Sequence, residues 1–131
     1  MTPQVYAIVL AVAACMVGGG IGGFLLAAPQ AATERLGLRL EAQGTGLFHA
    51  RAAGGAMLAA HAVAALALGY APLAGSLMAA GLALAWLGWA AGGLAQPQTG
   101  RGGVLLAILA GASLLAPFWS FGRVMLRGTL V

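Results

Sequence analysis

The sequence predicts an all-α fold, an integral membrane bundle of four transmembrane helices with a short interfacial helix between the first and second. Three observations predict it. Of 131 residues, 62% are hydrophobic and 6% charged, and the mean hydropathy is +0.99, whereas about a quarter of the residues in a soluble domain carry charge. Charges are absent before Glu34 and again between Arg51 and Arg101. At about 20 apolar residues per crossing, the first gap holds one helix and the second most of two more, with a fourth after Arg101. Turn residues then divide the apolar stretches at Pro29, at Gly69-Tyr70-Ala71-Pro72 and at Gln96-Pro97-Gln98-Thr99-Gly100. Spans follow at about 5–27, 46–69, 73–95 and 102–122, in a single domain covering 1–131.

Thr2-Pro3 suits a helix start, with the hydroxyl able to cap free amides and proline at the first helical position. The first span begins without Lys or Arg and exceeds the roughly 7–15 apolar residues of a cleaved signal, so it is expected to be retained. Gly18/Gly22 and Gly19/Gly23 form overlapping GxxxG pairs, extended upstream by Ala14 and Cys15. In lipid no hydrophobic effect drives helices together, and small residues at this spacing let backbones approach. The face serves packing within the monomer or a dimer. Leucine at Gly22 is expected to force backbones apart and leucine at Ala7 to matter little. Cys15, the sole cysteine, reads as a small packing residue.

Pro29 ends the first span, and Gln30–Leu36 is expected to lie in the interface, with Thr33-Glu34-Arg35 toward headgroups and Gly37 closing the helix. Thr45 is the expected cap of the second span. That span, LFHARAAGGAMLAAHAVAALALG from Leu47 to Gly69, carries His49, Arg51 and His61 together with Gly54-Gly55. It has polar groups that need partners and a flat surface on which neighbours can pack. Arg51 lies about five residues inside, roughly 7 Å at 1.5 Å per residue, within reach of a snorkelling guanidinium. It is expected to act as a polar anchor with Glu34 or Glu41, or with Gln96; the competing reading is a cation awaiting an anionic ligand.

A turn as short as Gly69–Pro72 makes the second and third spans an antiparallel hairpin. Counting back from its centre sets Trp86 level with Gly55, so the indole is expected to fill the Gly54-Gly55 hole. Gly103, Ala107 and Gly111 form a ridge on the fourth span that should nest against the third or first. Pro117 is expected to kink or end that span, and Phe118, Trp119 and Phe121 to form an aromatic collar before Arg123 and Arg127.

The net charge of +4 comes from six arginines against two glutamates, with no lysine; this scatter of single cations suits headgroups and not nucleic acid. No aspartate, HExxH or CxxC is present, and Ser76, Ser113 and Ser120 have no histidine at a spacing that suggests a base. No enzyme and no cofactor are therefore expected. His61 and His49 are the candidates for a pigment or haem ligand, but about 18 Å of helix axis separates them, so they cannot share one metal. A histidine hydrogen-bonded inside the bundle is the alternative. Loops one and three carry Arg35, Arg39 and Arg101 against Arg123 and Arg127 on the other side, and the positive-inside rule leans toward both termini outside, periplasmic in a bacterium.

The string AAPQAATERLGLRLEAQGTGLFHARAAGGAML resembles small bacterial four-span membrane proteins forming a family of unknown function. The matching positions are Ala28-Pro29, Leu36-Gly37, Arg51 and Gly54-Gly55. His49 departs from the pattern, as does Trp86-Leu87-Gly88-Trp89, where a Gly-Arg or similar polar pair is expected. The resemblance implies a fold and a bacterial inner membrane location, not an activity. The expected function is that of a non-catalytic accessory or structural subunit contacting lipids and other integral membrane proteins. The alternative is a small transporter or ligand-binding bundle using Arg51 and His61.

Overall fold

A computed structural model describes residues 2–36, 45–95 and 101–129, with side chains as far as 121. Its helices are α1 (Pro3–Ala27), α2 (Pro29–Arg35), α3 (Thr45–Tyr70), α4 (Pro72–Ala95) and α5 (Arg101–Thr129). Among the described residues there is no strand. Four helices are long and apolar enough to cross a membrane: α1, α3, α4 and Arg101–Phe121 of α5. The four close into a ring in which α1 lies on α3 and α4 on α5, with α1–α5 and α3–α4 completing the circuit.

Small residues set this packing. The central core is Ala11, Ala14, Cys15, Ala64, Leu68, Ala79, Ala83 and Leu114, and a core so rich in alanine brings helix axes close together. Ala7, expected to be indifferent, belongs to the interior at 7% exposure. It continues the buried row of Ala11, Ala14 and Gly18 one turn toward the N-terminus. On α4, Gly75, Ala79 and Ala83 make a ridge at four-residue spacing, all buried. A Cβ on Gly75 would lie 2.6 Å from the Leu68 Cα, so α3 and α4 touch backbone to backbone just beyond their one-residue turn.

Several local expectations need correction. Thr2 precedes α1 without a side-chain cap; its carbonyl instead accepts the amides of Val5 and Tyr6 at 3.0 and 3.2 Å. Thr33 does not face outward with Glu34 and Arg35 but is 5% exposed. Its hydroxyl donates to the carbonyls of Pro29 and Gln30 at 2.8 and 2.9 Å, and a hydroxyl satisfied by the preceding turn can turn inward without loss. Pro117 does not end the last helix, which runs on to Thr129. Proline removes a single N–H from the ladder, and its buried ring is absorbed in the packing. Gly37 and Gln96 lie outside the described residues, as does the segment preceding Thr45.

Candidate functional site

Two places hold the polar groups that the sequence singles out. The first is inside the ring, around His61, which is 3% exposed. Its Nδ1 lies 2.7 Å from the Met57 carbonyl, and the Trp86 Nε1–H donates to its Nε2 at 3.0 Å. An indole N–H can only donate, so Nε2 offers its lone pair and Nδ1 carries the proton that goes to Met57. His61 is thus a neutral imidazole with both nitrogens engaged. The rings meet edge to face at 6.0 Å and 75°. Gly18 supplies the space for the imidazole: a Cβ there would collide with the His61 ring. One residue of α3 thereby locks into α1 by shape and into α4 by a hydrogen bond.

The expected Trp86 contact with Gly54-Gly55 is not formed. Gly54 faces α1, where a Cβ would stand 2.7 Å from the Gly22 carbonyl oxygen and 2.8 Å from the Leu25 Cβ. Reciprocally, a Cβ on Gly22 would stand 2.6 Å from the Leu58 amide nitrogen and 2.8 Å from the Gly54 oxygen. Gly22 and Gly54 are the crossing point of α1 and α3. Gly55 has only the Leu26 Cδ1 near, at 3.8 Å. Gly19 meets nothing closer than 3.7 Å and Gly23 nothing within 4 Å, so the Gly18/Gly22 pair carries the close contact and its overlapping pair does not.

Gly103, Ala107 and Gly111 lie along α4, the third long helix. The Trp89 ring stands 3.2 Å from a Cβ built on Gly103, and the Leu87 Cγ 2.7 Å from one built on Gly111. Ala107 is fully buried with Ala90 and Val104. A glycine beneath a tryptophan does occur, but the pair is Gly103 and Trp89. Between the helix pairs, Ile21, Leu25, Met57, Trp86 and Leu106 line part of an apolar cavity of about 110 Å³.

The second place is the corner where α1 gives way to α2 beside the start of α3. Ala27, Ala28, Pro29, Gln30, Ala31, Glu34, Leu47 and Arg51 line an open groove of about 430 Å³. Arg51 and Glu34 are both exposed, yet among the described residues no ion pair within 4.0 Å joins them. The expected anchor to Glu34 is therefore not made, although both side chains line the groove. Glu41 lies outside the described residues. His49 is exposed, with Nδ1 2.7 Å from the Thr45 carbonyl and its ring edge-on to Phe48. Among the described residues no three His, Cys, Asp or Glu side chains gather as metal ligands.

Sequence reasoning missed Trp86 as the partner of His61 and Gly75 as a contact of the hairpin. The four-residue spacing of Gly75, Ala79 and Ala83 was the signal for the second. No family model, curated protein or solved structure matches the chain. The four long apolar helices are consistent with a multi-pass membrane protein.

Proposed function

We propose that this protein is a non-catalytic accessory or structural subunit of a bacterial inner membrane, with α2 lying at the interface, and that it packs against larger membrane proteins. The observation that carries the reading is a face of α4 that none of the described residues covers. Gly81, Gly88 and Gly92 have no atom within 4 Å of a built Cβ, and with Ala85 they share one exposed side of the helix. Each glycine in a helix interior costs roughly 0.5–1 kcal/mol relative to alanine, a cost that contact with a partner helix would offset. The ligand-binding alternative loses support at His61, whose two nitrogens are engaged within the chain.

Solubilisation in mild detergent followed by native electrophoresis tests it. Wild-type protein should migrate in a stoichiometric assembly, and leucine at Gly88 should release it as a folded monomer. A lone species unaffected by that substitution, joined by Arg51-dependent anion uptake in proteoliposomes, would replace the subunit reading with the transporter.

A further inference from the structure

We infer that the corner groove between α2 and the start of α3 holds a zwitterionic phospholipid headgroup, with the phosphate at Arg51 and the ammonium at Glu34. The inference rests on the chain crossing a membrane and not on the subunit role. Its basis is the unusual state of the two charges: one cation and one anion line the same groove, both are exposed, and no ion pair within 4.0 Å joins them. A ligand bearing only a phosphate would answer Arg51 and be repelled by Glu34, and a simple amine would do the reverse. A phosphoethanolamine group, its ammonium two methylenes from its phosphate, answers both. The guanidinium fork suits two phosphate oxygens, and the Gln30 amide on the same groove can donate to a further one.

The setting favours a membrane lipid over a soluble zwitterion. The groove opens where α1, a span-length apolar helix, ends and another, α3, begins, which is the level at which a bilayer presents its headgroups. Its remaining wall is small and apolar, with Ala27 and Leu47 offering a surface to glycerol and the first acyl carbons. Glu34 is what separates this site from the ordinary attraction of an arginine to anionic lipid.

The test begins with purified protein reconstituted into phosphatidylcholine vesicles and retained through an alkaline wash; release by that wash would overturn membrane insertion, and with it this inference. Native mass spectrometry from detergent then compares phosphatidylethanolamine with phosphatidylglycerol, matched in acyl chains. Phosphatidylethanolamine should be retained about fivefold more strongly, the scale of one solvent-facing charge pair. E34Q, at an exposed position, should erase that preference while the protein keeps its wild-type circular dichroism, and R51Q should weaken both lipids. Soluble phosphoethanolamine at equal concentration should leave the lipid bound. Equal or stronger retention of phosphatidylglycerol by the wild type, an unchanged preference in E34Q, or displacement by the soluble headgroup would each overturn the assignment.

Discussion

Alanine at Gly22 tests the backbone crossing of α1 and α3, and the structure sets both the sign and the size of the effect. In a helix exposed to open space, Gly→Ala stabilises by roughly 0.5–1 kcal/mol through lost freedom of the unfolded chain. At Gly22 the new methyl would stand 2.6 Å from the Leu58 amide nitrogen and 2.8 Å from the Gly54 oxygen, where ordinary contact begins near 3.4 Å. Those neighbours are backbone, so no rotamer change relieves the clash and the helices must separate by about 0.8 Å. A gap of roughly 0.5–1 Å forfeits a quarter to a half of each contact's dispersion energy, and overpacking of this kind costs typically 1–3 kcal/mol. G22A should therefore be destabilised by about 1–2 kcal/mol net, and G54A, whose Cβ would meet the Gly22 oxygen at 2.7 Å, by a similar amount. G23A, one residue away with nothing within 4 Å, should be neutral or slightly stabilised. The assay is unfolding in mixed micelles with increasing SDS, followed by circular dichroism. G22A as stable as G23A would refute the crossing point.

Three further outcomes follow from the same geometry. W86F keeps most of the ring volume but leaves the buried His61 Nε2 without its donor, at a cost of about 1–3 kcal/mol in a watery unfolded state and nearer 0.6 where the membrane reference finds other partners; the same titration reads it, and no measurable change would remove the hydrogen bond from the fold. Leucine at Gly111 must displace the Leu87 side chain, with the Ala83 carbonyl oxygen already in contact at 3.4 Å, and should lower stability by about 1–3 kcal/mol, while leucine at the uncovered Gly88 should leave the isolated monomer unchanged; equal effects at the two sites would dissolve the distinction between inner and outer glycine faces. R51Q should shift stability by no more than about 0.5 kcal/mol, as befits an exposed side chain outside any buried network, and outright loss of folding would return Arg51 to the role of a structural anchor.

The four long helices were legible because the signals that define them are local and repeated. Absence of charge over a span, proline and glycine at the breaks, and a single residue between Tyr70 and Pro72 leave little freedom in where helices start and stop. Contacts between small residues were only half legible. Spacing identifies Gly18/Gly22 and Gly19/Gly23 equally well, and nothing local says that the first pair meets α3 closely while a Cβ on Gly23 would have nothing within 4 Å. Which face turns inward is decided by the whole ring. Thr33 went astray for a related reason: a threonine beside Glu34 and Arg35 reads as polar surface, yet its hydroxyl is satisfied within its own helix and is free to be buried.

The misplaced tryptophan shows where a residue count fails. Measured from Ala71, Trp86 is level with Ala56, beside Gly55, and about five residues, roughly 7 Å, deeper than His61, so Cα positions alone pair the indole with the glycines. Side chains, however, leave a helix leaning toward its N-terminus. In an antiparallel hairpin the two leans are opposed: that of α4 carries the Trp86 ring toward the turn, and that of α3 carries the His61 ring away from it. The two converge, and Nε1–H meets Nε2 at 3.0 Å. Gly54 is left to meet Gly22, and a histidine that composition alone marks as a ligand becomes the joint of three helices. The same correction applies to any long side chain matched across this hairpin, and it is why His61 and Trp86, at unequal depths on α3 and α4, meet.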